Sequence, residues 1–159
     1  MTVRIVCVGK LKEKYFEDAC AEFQKRLGRF CTLEIVEVAD EKAPESLHPA
    51  DEALVKEKEG KRVLKAIGAK DFVIALAVDG KQMTSEAFAA FLEEKENEGV
   101  RALTFVIGGS LGLSDEVYAR ANARISFSKM TFPHRIARLL LLEQLYRGFK
   151  IRRNEAYHK

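Results

Sequence analysis

Apolar and polar residues alternate along the chain in blocks that predict strands followed by helices. Thr2 to Val8 is a run of β-branched and apolar residues that ends at Gly9, the pattern of a buried strand. Lys12 to Leu27 then carries apolar residues at helical spacing, and Gly28 marks its end. Thr32 to Val38 alternates apolar and charged residues and predicts a second strand. The chain therefore begins as a strand, a helix and a strand.

The next stretch, from residue 39 to residue 52, holds Pro44, Pro49 and a cluster of charges, and it predicts a surface loop of about ten residues. Asp51 is a good helix cap, so we expect a helix from there to about Ile67. The polar face of that helix is predicted to carry Lys56, Glu57, Lys58, Glu59 and Lys61.

Asp71 to Val78 is almost continuously apolar, as expected of a central strand that is covered on both faces, and Asp79-Gly80 reads as a turn after it. The remaining elements are a helix capped by Thr84, a strand from Leu103 to Ile107, a helix from Ser114 to Ala121 and a strand from Arg124 to Phe127. This alternation predicts one α/β domain over residues 1–159, with a mostly parallel sheet and helices on both faces.

Two loops stand out because each follows a predicted strand and is rich in small or hydroxyl-bearing residues. The first is a glycine loop at 108–112, GGSLG, and the second spans 128–134, SKMTFPH. Loops after parallel strands meet at the carboxyl edge of the sheet, where open α/β folds bind ligands, so we expect these two side by side at a binding site. The glycine loop lacks the lysine of a P-loop, and a plain turn with Ser114 capping the next helix remains an alternative.

The last predicted helix runs from His134 or Arg135 to about Ile151. Four consecutive leucines, Leu139 to Leu142, point all round its axis, because successive helical residues are turned by about 100°. One interpretation is a homodimer that covers the second apolar face, and the other is a helix buried wholly within one subunit. The periodicity leaves both open.

Composition places the chain among ordinary globular proteins, since it has 159 residues, 47% hydrophobic and 32% charged. Its three cysteines are far apart and odd in number, so we expect reduced thiols in a cytoplasmic protein. The three histidines are scattered, which gives no support to a metal site. The apolar start is too short for a signal peptide or a membrane span.

Charge is unevenly distributed along the chain. From Arg124 to Lys159 there are nine Lys or Arg against two acids, whereas the rest of the chain carries 18 basic and 22 acidic residues. A positive quarter on an acidic domain is expected for a protein that binds a polyanion such as RNA. A solvated charged face is the alternative.

Several motifs resemble the RlmH family, the bacterial pseudouridine methyltransferases that act on large-subunit ribosomal RNA. They are IGGSLGL at 107–113, SFSKMTFPH at 126–134, LLLEQLYRGFKI at 140–151 and the terminal EAYHK, together with VGKLKEKY near the start. The resemblance covers essentially the whole chain.

This resemblance implies a SPOUT-class fold, in which the carboxyl-terminal part of the sheet forms a trefoil knot that binds S-adenosylmethionine. It also implies a homodimer and a substrate in the assembled ribosome. The cofactor-binding residues carried over from the family are Leu76, Gly108, Phe127, Ser128, Lys129, Met130, Thr131 and Phe132.

Methylation of a base nitrogen requires removal of its proton, and His158 is the first candidate for the general base because its ordinary pKa suits neutral pH. Tyr157 and Lys159 would help to place the base. Glu143 is the second candidate, although it is also placed to pair with Arg147. His134 is expected to be structural. The residues expected to bind RNA phosphates are Arg135, Arg138, Arg152 and Arg153.

Two other functions remain open at this stage. A SPOUT enzyme that modifies transfer RNA or a ribose 2'-hydroxyl would share the cofactor loops but not the EAYHK tail. A non-catalytic RNA-binding module would share the basic quarter but would have no reason to keep a cofactor cleft.

Overall fold

In the computed structural model of the protein, residues 1–42 and 48–159 are described, and they form five strands and five helices. The strands are β1 Thr2–Val8, β2 Thr32–Val38, β3 Phe72–Gln82, β4 Ala102–Ile107 and β5 Ala123–Ser126. The helices are α1 Lys14–Leu27, α2 Pro49–Ala66, α3 Ser85–Asn97, α4 Asp115–Arg120 and α5 His134–Arg152.

The five strands form one sheet in the order β2-β1-β4-β3-β5, and every pair of neighbours is parallel. One face packs on helices α1, α3 and α5 through a core that includes Phe105, Leu92 and Leu145. The other packs on α2 and α4 through Val63 and Val117. The predicted α/β fold with a parallel sheet covered on both faces is confirmed.

The strand β3 runs further than the sequence predicted. It continues to Gln82, and its pairing with β5 shifts register between Leu76 and Lys81, which both lie opposite Ile125. Asp79-Gly80 is therefore part of a bulge within the strand, and the predicted turn after Val78 is wrong. Gly80 is required there because a Cβ atom would lie 2.6 Å from the carbonyl carbon of Ile125. A bulge of this kind aims side chains at a site at the end of a strand.

Helix α2 begins at Pro49, two residues before the predicted cap at Asp51. His48 is the residue before it, and the fixed φ of Pro49 suits the first helical position. Part of the predicted surface loop, residues 43–47, lies outside the described residues. Glu59 does not lie on the solvated face of this helix, because it is only 4% exposed. Thr84 and Ser114 do cap α3 and α4, as predicted.

Helix α5 packs against α1 and α3 and begins at the carboxyl edge of the sheet, where His134 lies against Gly9. Leu141 and Leu142 are fully buried, whereas Leu139 and Leu140 are half-buried. The four leucines do point to different surroundings. A single chain covers them only in part, and the homodimer stays a prediction.

The other sequence expectations concern cysteines, metals and membranes. Cys7 and Cys20 are buried and Cys31 is half-buried, all three as free thiols. Burial raises the pKa of Cys7 and of Cys31 to about 11, so neither is a ready nucleophile. Within residues 1–42 and 48–159, no three His, Cys, Asp or Glu residues come together as metal ligands. No helix of that part is long and apolar enough to span a membrane.

Candidate active site

A cavity of about 830 Å³ lies at the carboxyl edge of the sheet. The glycine loop after β4 forms one wall, and residues 131–137, at the end of the second loop and the start of α5, form another. The bulged part of β3, Leu76 to Asp79, lies between them because β3 separates β4 from β5 in the sheet. The two loops thus meet at one site as predicted, but they face each other across β3 instead of being direct neighbours.

The glycine loop is a tight turn whose shape depends on its glycines. Gly109 and Gly112 pair with each other, and the Gly112 amide donates a hydrogen bond to the Gly109 carbonyl oxygen over 3.1 Å. Gly112 has a φ of 87°, a conformation that favours glycine. A Cβ on Gly108 would lie 2.9 Å from the Gly112 carbonyl carbon, so the turn leaves no room for a side chain at that position.

The second loop is held by its own serines. The Ser126 hydroxyl donates a hydrogen bond to the Ser128 carbonyl oxygen over 2.8 Å, and the Ser128 hydroxyl accepts one from the Met130 amide over 3.0 Å. Met130 is 73% exposed beyond this turn. The loop therefore presents ordered backbone groups beside apolar side chains, a combination that suits an adenine ring and its polar edge.

The cofactor residues expected from the family resemblance fall into three groups. Four of them line the main cavity: Leu76, Gly108, Thr131 and Phe132. Phe127, Ser128 and Met130 line an adjoining cavity of about 80 Å³ that shares Leu76 and Phe132 with the main one. Lys129 is exposed and is not among the described residues that line either cavity.

The tail after α5 folds back along the helix. Asn154 takes a left-handed φ of 52°, which reverses the chain, and Tyr157 then packs edge-on against Tyr146. The Tyr157 hydroxyl donates a hydrogen bond to Oε1 of Glu143 over 3.1 Å. His158 lies between helices α5 and α3, with Nδ1 3.1 Å from Nη1 of Arg147 and Nε2 2.7 Å from Oε1 of Glu86.

We call Glu143, Arg147, Tyr157, His158 and Glu86 the tail network, and their contacts show which atoms donate and which accept. Arginine can only donate, so Nδ1 of His158 accepts a hydrogen bond from Arg147. The ring proton of His158 is therefore on Nε2, which donates to Glu86. Glu143 accepts from Arg147 over 2.5 Å, which is the ion pair that the sequence offered as an alternative to a catalytic role. Burial, together with the nearby Glu143 carboxylate, raises the pKa of Tyr157, so its hydroxyl is neutral at neutral pH.

The three predicted catalytic residues, Glu143, Tyr157 and His158, are thus brought into one network. None of them is among the described residues that line the main cavity, which we call the cofactor cavity because the family resemblance predicts the cofactor there. The network instead borders an apolar cavity of about 360 Å³ between α3, β5 and α5, which it reaches through Gln144 and Ser85. Within one subunit, the expected base and the expected cofactor site are separate.

The structure corrects part of the predicted RNA surface. Arg138 is 3% exposed and is held by Glu37 and the Gly9 carbonyl oxygen, so its guanidinium is not available to a phosphate. Arg152 is largely covered and pairs with Glu96. Arg135, which pairs with Glu13, lines the cofactor cavity, and Arg153 and Lys159 are exposed.

Two residues at this edge were not predicted as functional. His134 lines the cofactor cavity, and its Nδ1 is buried without a partner among the described residues. Burial and the neighbouring Arg135 and Arg138 lower its pKa, so the ring is neutral. Glu59 lies behind the glycine loop. Its spacing of four residues from Val63 was the available signal that it faces inward.

Solved structures identify the class of this fold. A probable methyltransferase from Bordetella pertussis Tohama I superposes with a TM-score of 0.58 at 16% identity, over 92% of this chain and 95% of that one. A tRNA (m1G37) methyltransferase from Aquifex aeolicus gives a TM-score of 0.55 at 14% identity, over 92% of this chain and 70% of that one. At such low identity these likenesses show the fold alone. The chain therefore has the fold of these two proteins, with a cavity at the carboxyl edge of its sheet.

Sequence comparison defines the family more closely. Residues 1–158 match the family model described as predicted SPOUT methyltransferase. The chain is also 55% identical, over the full length of both proteins, to the ribosomal RNA large subunit methyltransferase H of Ligilactobacillus salivarius. The chain therefore belongs to the RlmH family of SPOUT methyltransferases, and the resemblance read from its motifs is confirmed.

Proposed function

We propose that this protein uses S-adenosylmethionine to methylate N3 of a pseudouridine in large-subunit ribosomal RNA, in the cytoplasm and on the assembled ribosome. The observation that carries the proposal is the cavity formed by the glycine loop, the end of β3 and the second loop, in a chain with full-length similarity to a ribosomal RNA large subunit methyltransferase. The trefoil knot expected for this class stays a prediction.

The residues at the cavity suit the proposed cofactor. A volume of about 830 Å³ has room for it beside a nucleobase, and Leu76 and Phe132 offer apolar surfaces to its ring. Gly108, Thr131 and the backbone of residues 127–132 would hold its polar edge. The cofactor supplies an activated methyl group, so the main task of the protein is to align the substrate with that group and to exclude water.

The substrate nitrogen must also lose its proton, and His158 is the proposed acceptor through Nδ1. That atom accepts a hydrogen bond from Arg147 in the free subunit, so the substrate must displace this contact. The neutral Tyr157 hydroxyl can orient the base, while Glu143 holds both Tyr157 and Arg147 in place.

A homodimer would resolve the separation of the tail network from the cofactor cavity. Large apolar side chains are exposed around the mouth of the cavity and on the first turn of α5: Val78 at 47%, Met130 at 73%, Phe132 at 37% and Ile136 at 36%. An apolar patch of this kind at a site normally marks a contact surface. A second subunit on it would bring its own tail to the cavity.

The proposed RNA surface consists of Arg135, which lines the cavity, the exposed Lys129 in the second loop, and the exposed Arg153 and Lys159 of the tail. Arg138 is omitted because it is buried. Contacts to phosphate fix position and carry little sequence information, so the choice of nucleotide would come from the shape of the ribosome.

The deciding experiment is transfer of labelled methyl from S-adenosylmethionine to ribosomes from a strain that lacks its own copy of this enzyme. Naked large-subunit RNA and bulk transfer RNA are assayed in parallel. We expect label at a pseudouridine ring nitrogen in assembled ribosomes and little elsewhere. Label in transfer RNA alone, or none despite tight cofactor binding, would require a different substrate.

The role of the tail is tested by His158→Ala. Loss of a general base lowers turnover by about 10²- to 10⁴-fold, whereas cofactor affinity should stay within about twofold because none of the expected cofactor-binding residues belongs to the tail. His48→Ala, at an exposed histidine outside the network, is the control and should retain full activity. Normal turnover in the His158 variant would remove the tail from the mechanism.

A further inference from the structure

Residues 10–15 join β1 to the start of α1, and their side chains have no role in the proposed function so far. They read KLKEKY, with a lysine at every second position and a tyrosine at the end. Gly9, with a φ of 98°, turns the chain out of the sheet just before them. We call residues 10–15 the lysine-tyrosine segment.

The lysine-tyrosine segment lies beside the cofactor cavity. Lys10 and Lys12 line a pocket of about 210 Å³ together with Arg135, and Arg135 also lines the cofactor cavity. Glu13 forms an ion pair with the same arginine, which ties the start of α1 to the start of α5. An RNA strand that brings a base to the cofactor cavity would therefore pass within reach of this segment.

The lysines of the segment are available to an anion. Lys10 and Lys12 are exposed, and neither forms an ion pair with any residue of 1–42 or 48–159. The Lys14 side chain is 86% exposed, and its ammonium lies 3.7 Å from the carboxylate of Asp18. Such an exposed pair contributes little and is easily exchanged for another anion.

Three acids line the same small pocket, but they do not cancel the lysines. Glu41 is paired with Arg62, and Glu59 is only 4% exposed. Asp40 is the remaining acid of the pocket wall. Since the lysine side chains are exposed, phosphates can reach their ammonium groups from solvent without entering the pocket.

Tyr15 is the exposed aromatic residue of the segment, at 68%. Its ring contacts the ring of Phe16, with centroids 4.9 Å apart, and it belongs to neither hydrophobic core of the described residues. A single exposed aromatic side chain needs no explanation. An aromatic ring among free cations at a proposed RNA site is different, because proteins stack unpaired bases on such rings.

A second subunit is the other occupant that this surface could have. The apolar patch proposed above for the homodimer is made of other residues, Val78, Met130, Phe132 and Ile136. A protein that covered Tyr15 would also have to desolvate the ammonium groups around it, which is costly without carboxylates opposite them. RNA carries a phosphate beside every base, so one strand satisfies both the lysines and the ring.

We propose that the lysine-tyrosine segment is a further RNA contact, at which Tyr15 stacks on an unpaired base near the target nucleotide while Lys10 and Lys12 pair with adjoining phosphates. This inference rests on the proposed function, because it requires ribosomal RNA at the cofactor cavity. Stacking accepts any base but requires that the base be unpaired. The substrate is therefore a loop or a single strand on either side of the target.

The stacking contact is tested by binding of the full-length protein to ribosomes from a strain that lacks its own copy of this enzyme. Stacking on an aromatic ring corresponds to about 5- to 100-fold in affinity. We expect Tyr15→Ala to weaken ribosome binding by at least about fivefold, and Tyr15→Phe by less than about twofold because the phenyl ring still stacks. Neither variant should change the affinity for S-adenosylhomocysteine. Ribosome affinity of Tyr15→Ala equal to that of the wild type would overturn the inference.

The phosphate contacts are tested by the salt dependence of the same binding. Replacing Lys10 and Lys12 by Ala removes two contacts to a single strand, which should lower the slope of log affinity against log salt by about 1.4. Tyr15→Ala should keep the wild-type slope. Replacing Lys58 and Lys65 by Ala, an exposed pair on α2, is the matched control and should also keep it. An unchanged slope without Lys10 and Lys12 would contradict the proposed phosphate contacts.

Photocrosslinking identifies the occupant of the surface directly. Tyr15→p-benzoylphenylalanine keeps an aromatic ring at the site, and Gln24→p-benzoylphenylalanine, at an exposed position further along α1, is the control. We expect irradiation with ribosomes to join position 15, but not position 24, to ribosomal RNA. A crosslink from position 15 to a second copy of the chain or to a ribosomal protein, or none at all, would overturn the inference.

Failure of the inference can be told apart from failure of the proposed function. The inference fails when the wild type methylates ribosomes and the Tyr15 and lysine variants bind them equally well. The proposed function fails when the wild type itself transfers no methyl group to ribosomes.

Discussion

Glu59 shows how a charged residue can be buried although its neighbours in the sequence are on the surface. It lies in the segment from Lys56 to Lys61, which the sequence predicts as a charged surface, yet it is buried beside the glycine loop. Helix periodicity places it in line with Val63, but a charged residue on an apolar line has no obvious partner in the sequence. Only the fold brings it to Gly109.

The raised pKa of Glu59 predicts a pH dependence of stability. The folded protein holds this proton more tightly than the unfolded chain, so the ionised carboxylate destabilises the fold once the pH exceeds the ordinary value of 4.5. This loss of stability is complete above the folded-state pKa of Glu59, and it decreases as the pH falls from there to 4.5. The free energy of unfolding of Glu59→Gln, relative to the wild type, should therefore rise between pH 4.5 and pH 8.

Urea denaturation of the ligand-free proteins at the two pH values measures this difference. Glu57→Gln, on the exposed face of the same helix, is the control, and its difference from the wild type should be the same at both. A difference for Glu59→Gln that does not change with pH would mean that burial does not disfavour the charged form.

At the scale of single elements, the bulge in β3 places Leu76 to Asp79 beside the second loop. It depends on the close approach of Gly80 to the backbone of Ile125. The sequence predicts a turn at Asp79-Gly80. Gly80 does need the conformational freedom of glycine, but it uses that freedom in a bulge within β3 and not in a turn. Strand pairing with β5 decides between turn and bulge, and that pairing joins residues far apart in the chain.

We predict that Gly80→Ala destabilises the protein by about 1–3 kcal/mol, because the methyl group would clash with backbone that cannot move aside easily. It should also weaken cofactor binding, since β5 leads directly into the second loop. Gly28→Ala is the control: its φ of −56° suits alanine, and its nearest neighbour would lie at 3.4 Å. Urea unfolding and calorimetry measure both effects, and equal stability of the two variants would contradict the bulge argument.

Helix α5 is fixed to the sheet by an ion pair that the sequence assigned to RNA. Arg138 reaches Oε2 of Glu37 on β2 over 2.9 Å and is almost completely buried. Glu37→Ala leaves that guanidinium without its carboxylate, and we expect a loss of about 3–5 kcal/mol in unfolding free energy. Arg138→Met should lose less, because Glu37 is partly exposed and can be hydrated.

Comparison of Arg138→Met with Lys129→Ala distinguishes a structural role of Arg138 from a role in RNA binding. Arg138→Met should leave the salt dependence of ribosome binding unchanged, whereas Lys129→Ala should reduce its slope. A reduced slope in the Arg138 variant would restore this residue to the RNA surface.

At the scale of the whole molecule, the central prediction is an active site shared between two subunits. A mixture of His158→Ala, which lacks the base, and Gly108→Val, which blocks the cofactor cavity, should regain activity on exchange of subunits. Half of the dimers are mixed and each has one intact site, so about a quarter of wild-type activity should return. Each variant alone must be folded, which circular dichroism checks, and must be nearly inactive.

Methyl transfer to ribosomes, measured before and after mixing, gives the result. Activity that stays at the level of the separate variants would place His158 and the cofactor in the same chain. That outcome would require the tail to leave Glu86 and Arg147 and move to the cavity of its own subunit.

The sequence by itself determined the elements, the class of fold and the family. The bounds of β1 and β2, the caps at Thr84 and Ser114 and the cofactor loops are local features, because hydrophobic period, capping groups and glycine turns act over a few neighbouring residues. The motifs of the loops and tail were specific enough to identify the RlmH family before any contact was known.

Only the tertiary structure decided where charged residues point and which segments meet. It buried Glu59 and Arg138, extended β3 through Gly80, gathered Glu143, Tyr157 and His158 into one network and kept that network away from the main cavity of the same chain. These outcomes depend on pairs of residues far apart in the chain. A local sequence pattern does not identify such pairs, because whether a charge can be buried depends on the partner that the fold brings to it.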